Sequence, residues 1–214
     1  MEEFLNAARA GDIEQLKTLL AANPALLNER NDLGQSAILL ARYHRKTAAV
    51  EFLLSQNPDL NLHEAAAVGA LDRVQAIVRE RGRLIDSHSK DGFTALALAA
   101  FFGHAAAVQY LIDQGANVSL AANNPMKVSP LHAAVSARHI EIARMLVDND
   151  ADVNARQQQG WTPLHGAAQS GDQELVRLLL AKGADREARA DTGQTALDLA
   201  MTHGHGAVAA LLEA

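Results

Sequence analysis

The side chains here best equipped for chemistry are nine histidines in a chain without cysteine, since a neutral imidazole can hold a metal or carry a proton near neutral pH. His63-Glu64 opens like the helical H-E-x-x-H motif of zinc proteases, whose second histidine must sit one turn further on. Ala67 stands there instead, so the ligand pair is broken. His203-Gly204-His205 brings two imidazoles together, but no carboxylate or thiolate follows at a recognisable ligand spacing. The chain has no GxSxG nucleophile elbow, no GxxxxGK(S/T) phosphate loop and no GxGxxG turn after a strand. Acidic residues are dispersed instead of paired. The expectation is a non-enzymatic protein with no cofactor and no metal.

The elements that carry these residues recur along the chain. Gly11, Arg45, Gly69, Gly103, Arg138, Gly171 and Gly204 each end a short apolar helix pattern, at spacings of 34, 24, 34, 35, 33 and 33 residues. Self-similarity at this period marks a solenoid. Such a fold buries its core between neighbouring units and exposes a long, shallow surface, suited to macromolecules and poorly suited to enclosing a reaction. The fullest copy runs from Trp161 to Asp185. Thr162 is a natural N-cap, and Pro163 fits the first helical turn, where its missing N–H is no loss. Leu164, Ala167 and Ala168 give the first helix a face of mostly small residues, and Gly171 stops it. The second helix carries Leu175, Val176, Leu178, Leu179 and Leu180, too many apolar positions for one partner helix to cover. Ala184 to Gly193 then form an extended, turn-bearing finger.

The strings TPLH at Thr162 to His165, SPLH at Ser129 to His132, FTALALAAFFGH at Phe93 to His104, GANVSL at Gly115 to Leu120 and GQTALDLA at Gly193 to Ala200 resemble the ankyrin repeat. The resemblance covers essentially the whole chain. It implies an all-α, right-handed curved stack of helical hairpins with short β-hairpin-like fingers. The predicted unit is a single domain of residues 1–214, with repeats near 1–30, 31–60, 61–86, 87–119, 120–154, 155–187 and 188–214. It also implies a concave face lined by first helices and finger tips, and protein partners. His63, His132 and His165 would fill the TPLH histidine position and tie neighbouring repeats by hydrogen bonds. His104, His139 and His205 follow the helix-ending residue, which leaves His44, His88 and His203 off pattern.

Composition narrows the functional classes. Alanine is the commonest residue, which suits close helix packing, while aromatics make up only 4% and so mark particular places. A net charge of −6 argues against nucleic acid or an anionic membrane as partner, because both recruit a basic surface. The basic groups Arg42/Arg45/Lys46 and Arg73/Arg79/Arg81/Arg83 are expected on a solvated outer face. No apolar run reaches transmembrane length. MEEFLNAARAGD enters the first repeat without an apolar leader segment, so the expected location is the cytoplasm; removal of a leader would make it periplasmic or secreted. A monomer is expected, with a polar first repeat as cap and with Leu211 and Leu212 only partly covered at the far end.

Departures from the regular pattern locate the candidate surface. Between the second and third repeats LLSQNPDLNLHEAAAVG leaves room for only a short loop, so one finger is missing and a notch in the rim is predicted. The fifth finger is longer: Val118 to Pro130 spans twelve positions where Val153 to Pro163 spans ten, and Lys127 replaces the usual glycine. Asn123-Asn124-Pro125 supplies turn chemistry and displays Met126 and Val128 near the tip. Phe93 and Trp161 immediately precede the TPLH-type strings. Phe101 and Phe102 end a first helix, with Tyr43 and His44 at the equivalent positions of the second repeat. With helices about 8–10 Å apart, three repeats span roughly 20–30 Å, enough for an interface of about 800 Å² per partner anchored by aromatic side chains. The expected function is binding of a protein partner through the concave face and finger tips of repeats 4–6. One alternative is an inhibitor or protective partner that occludes an enzyme's active site; another is a structural spacer or self-assembling scaffold.

Overall fold

A computed structural model describes residues 1–214. Its fourteen α-helices form seven antiparallel pairs: α1 (Glu2–Ala10) with α2 (Ile13–Ala22), α3 (Ala37–Tyr43) with α4 (Thr47–Ser55), α5 (Leu62–Val68) with α6 (Leu71–Glu80), α7 (Ala95–Phe102) with α8 (Ala105–Asp113), α9 (Pro130–Ser136) with α10 (Ile140–Asp148), α11 (Pro163–Gln169) with α12 (Gln173–Ala181), and α13 (Ala196–Thr202) with α14 (Gly206–Glu213). The first helices pack on one another in chain order, and the second helices form a parallel outer row. Alanine makes the inner row possible: Ala65, Ala99, Ala134, Ala167 and Ala200 are fully buried. The outer helices contribute the larger Leu53, Val74, Leu111, Leu146 and Leu179, and one apolar core runs from Phe4 to Leu212.

Local chemistry sets where the first helices begin. The side chains of Ser36, Thr94 and Thr195 accept hydrogen bonds from the backbone N–H of Leu39, Ala97 and Asp198 at 3.4, 3.1 and 3.2 Å. Each such cap contributes about 1 kcal/mol. The helix ends depend on the neighbouring repeat. At Gly103, with φ of 82°, a Cβ would meet the His139 ring at 2.7 Å. Arg138 adopts the same left-handed conformation, with φ of 59°, because the next repeat carries Asp172 in place of a histidine. Arg138 Nε donates to Asp172 Oδ2 at 3.0 Å. Arg45, also left-handed, faces a repeat with Ala70 at that position. The three first helices overhung by an imidazole thus end in glycine, at Gly69, Gly103 and Gly171, whereas the two faced by a small or acidic residue end in arginine.

Five fingers project from the stack, before α3, α7, α9, α11 and α13. Each of the last four is joined to the one before it except at the missing position: Asn123 N–H donates to Gly92 O at 2.8 Å, Gln158 N–H to Met126 O at 2.9 Å and Asp191 N–H to Gln159 O at 2.8 Å. The hairpin closure of the finger of repeat 5, Ala122 N–H to Val128 O, encloses two more residues than Ser89 to Phe93 or Gln157 to Trp161. Lys127 takes the left-handed conformation there, with φ of 52°.

The predicted notch is corrected by the structure. With no finger on repeat 3, the fingers of repeats 2 and 4 close on each other: Gln35 Nε2 donates to Asp91 Oδ2 at 3.2 Å, and the Lys90 stem lies over Gly34. What remains of the gap is a hollow of about 430 Å³ beside Arg30, lined by Asp59, Arg73, Glu80 and Arg81. The outer row is loosest at the same place, where α4 and α6 approach each other less than any other consecutive outer pair.

Repeat 3 also corrects the histidine register. Asn61 caps α5, and the third residue after it is Glu64, which therefore holds the TPLH histidine position in place of His63. Counting back from Gly69 misplaces the residue because α5 is one residue shorter from cap to left-handed end than the first helices of repeats 2 and 4 to 7. Glu64 is 1% exposed and accepts from Arg30 Nε at 2.9 Å, Arg30 Nη2 at 2.7 Å and the Asn61 N–H at 2.9 Å. Arg30 Nη2 also reaches Asp59 O at 2.9 Å, tying the short loop to the preceding finger. At the far end Leu212 is buried, contrary to expectation, while Leu211 is half-buried.

Two stability outcomes are expected. Gly103→Ala should lose roughly 2–4 kcal/mol in urea unfolding, from backbone strain plus the clash with His139; adding His139→Ala should recover the steric part. Arg30→Met should lose roughly 3–5 kcal/mol because it strands a buried carboxylate, and Glu64→Gln in the same chain should restore much of it.

Candidate functional site

The missing finger shapes the concave face. Repeat 3 offers only the small Ala67 there, and Leu39 and Leu98 of the flanking repeats close over it in a small apolar cluster of their own. Tyr43, Phe93 and Phe102 pack against this cluster. The Tyr43 and Phe102 rings lie 5.9 Å apart, and Phe101 meets Phe102 edge-on at 5.0 Å. Arg42 sits 4.6 Å from the Phe102 ring centre and donates to Ala67 O and Phe102 O, both at 3.1 Å. It thus closes the ends of α5 and α7 and is half-buried, not solvated as expected.

Above this floor lies a groove of about 530 Å³, walled by Tyr43, Asp91, Phe93, Phe101, Met126 and Val128. Met126 and Val128 also line an adjoining hollow of about 220 Å³ with Trp161 and Gln157 to Gln159. Of the eight residues expected to bind a partner, six are thereby placed along one continuous surface. Phe101 and Met126 are its most open apolar side chains, 38% and 47% exposed. Phe102 stands behind Phe101 as support, and His44, exposed at the end of α3, lies outside both hollows. Trp161 is half-buried, 5.9 Å from the His165 ring.

Sequence reading missed Asp91. Its Oδ2 accepts from the Tyr43 hydroxyl at 3.0 Å and from Gln35, and its Oδ1 from the Ser89 hydroxyl at 2.5 Å. Burial, and then Asp91, push the Tyr43 phenol well above its ordinary pKa. A signal was present in the repeats: the residue before the left-handed finger position reads Leu33, Asp91, Met126, Gln159 and Thr192. Caps and glycines recur there in register, whereas this position carries a different residue each time and a charge only at Asp91. No three His, Cys, Asp or Glu side chains converge in a metal-holding arrangement, and no helix is long and apolar enough to cross a membrane.

The family model for ankyrin repeats, built of three copies, matches residues 62–157 and again 152–214. This chain belongs to the ankyrin-repeat family. Curated relatives include the neurogenic locus notch homolog protein 1 of Xenopus laevis, 30% identical over 59% of this chain and 5% of that protein. The putative E3 ubiquitin-protein ligase XBAT31 of Arabidopsis thaliana is 31% identical over 70% of this chain and 37% of its own length. The nuclear factor NF-kappa-B p105 subunit of Gallus gallus is 30% identical over 70% of this chain and 17% of its own. The similarity spans only a minor part of the length of each of these proteins.

Two ankyrin-repeat histidines hold the groove's frame. His132 Nε2 lies 3.1 Å from Trp161 O and His165 Nε2 3.1 Å from Gln194 O. A carbonyl can only accept, so both rings carry their proton on Nε2 and use Nδ1 to accept from the hydroxyls of Ser129 and Thr162, each at 2.8 Å. Protonating Nδ1 would remove that acceptor inside a buried site. Burial accordingly lowers His132 to about 4, against a smaller upward effect of the Trp161 carbonyl bond, and lowers His63, His104 and His165 as well.

Because these folded-state values lie below the unfolded value near 6.5, the unfolded chain binds more protons once the pH drops below that point. Stability is therefore complete above pH 6.5 and is lost toward pH 4. Thermal melts should fall over this window, with His132 alone removing roughly 2 kcal/mol between pH 7 and 4.5. His132→Gln should be less stable at pH 7 but should show a flatter pH dependence.

Proposed function

We propose that this ankyrin-repeat array acts as one unit that binds a protein partner through the groove across its concave face and the finger tips of repeats 4 to 6. One observation carries the reading. The large hydrophobic side chains left exposed in the chain are Met1, Leu33, Phe101, Met126 and Met201, and two of these, from different repeats, wall the same groove. Isolated exposed apolar residues are ordinary on any surface, whereas convergent ones framed by polar groups are a mark of binding sites. Here Gln35, Ser136 and Gln157 supply the polar frame. The supporting aromatics are packed in advance, so the surface loses little side-chain freedom on binding.

The test is capture of a partner from native extract with the full chain as bait. Phe101→Ala/Met126→Ala should lose the protein that the wild type retains, while Leu33→Ala/Met201→Ala, equally apolar in content, should keep it. Retention by the groove variant, with its melting temperature unchanged, would refute the reading.

A further inference from the structure

Asp91 is the one charged side chain in the walls of the groove, whose other titratable members are the Tyr43 phenol and the buried His132. It makes no ion pair: the salt bridges of the chain join other residues, and neighbouring Lys90 is laid over Gly34. Three neutral donors, from Tyr43, Gln35 and Ser89, fix the carboxylate without cancelling its charge. A carboxylate has about four acceptor sites, so one stays open. Tyr43 and Phe93 wall the same groove as Asp91, and an aromatic face beside a carboxylate favours a cation with an apolar stem. Position supports a role in recognition: the same place in the other fingers holds the uncharged Leu33, Met126, Gln159 and Thr192, so the repeat itself demands no charge there.

We propose that the groove receives a short segment of the partner protein carrying a lysine or arginine beside an aromatic or large aliphatic residue. The cation is drawn to Asp91 between Tyr43 and Phe93, and the apolar side chain lies on Phe101, Met126 and Val128. This rests on the groove being the binding face and adds the chemistry of its occupant. Charge complementarity selects that occupant. An acidic or purely apolar segment would leave the Asp91 charge either opposed or covered and unpaired, which is unfavourable in a desolvated site. The net charge of −6 adds a long-range attraction of the same sign.

The test is selection of random short peptides displayed on phage against the full-length protein, followed by affinity measurements on the winning peptides. Enriched sequences should share a Lys or Arg next to an aromatic, Leu or Met residue. Asp91→Asn, which retains an acceptor for Tyr43, should weaken them roughly tenfold. Replacing the peptide's basic residue by glutamine should weaken binding to the unaltered protein by the same factor, a measurement independent of any effect on folding. The two changes together should do little more than either alone. Peptides that lose affinity with Phe101→Ala/Met126→Ala yet ignore both charge changes would overturn the cation while leaving the groove. Peptides indifferent to every one of these variants would overturn both, and selection of acidic peptides or of none would overturn the proposed occupant.

Discussion

No helix pair in this chain can bury its own apolar surface, and the rest of the molecule follows from that constraint. In α12 the buried Leu175, Val176, Leu178 and Leu179 face more directions than α11 can cover, so α10 and α14 complete the burial. The unit must recur, and the core becomes continuous from Phe4 to Leu212. Small inner residues and large outer ones let the inner helices lie close while the outer row fills space. Polar links act within the same scheme. His132 and His165 each join a cap hydroxyl of one repeat to the carbonyl that closes the hairpin of the next finger, so one carbonyl serves both its own finger and the preceding repeat.

Loss of one finger perturbs this regularity and builds the site. Once repeat 3 has none, repeats 2 and 4 touch directly across it, through Tyr43, Phe102, Arg42, Gln35 and Asp91. Ala67 leaves the space that these side chains fill, and Arg30 with Glu64 ties the shortened loop to the preceding finger. The groove thus has one wall from repeat 2, one from repeat 4, and a third from the lengthened finger of repeat 5. An omission and an insertion, two repeats apart, shape one surface.

Framework side chains and the exposed side chains of the groove occupy different positions within each unit. Caps, left-handed helix ends and overhanging imidazoles recur because each solves the same local problem of backbone hydrogen bonding or close approach. The side chains of Phe101 and Met126, by contrast, stay open to solvent and close no helix end or finger. A rigid array with non-repeating side chains on one face is what selective protein binding requires.

Much of the fold was legible in the residues alone, because helix caps, glycine stops, apolar periodicity and finger length are set by neighbours within a few positions. The seven units, the longer finger with its left-handed Lys127 and the histidine links at His132 and His165 all rest on such short-range spacing. Of the surface, the aromatic and aliphatic members were readable from their rarity and position. The tertiary structure alone decided that the gap at repeat 3 closes, that Glu64 and not His63 takes the linking position, that Phe102 supports while Phe101 faces outward, and that Asp91 enters the groove. Each of these depends on which residues meet after a finger is removed, between partners some thirty to sixty positions apart. Local spacing carries no information about that encounter; the packing of whole repeats does.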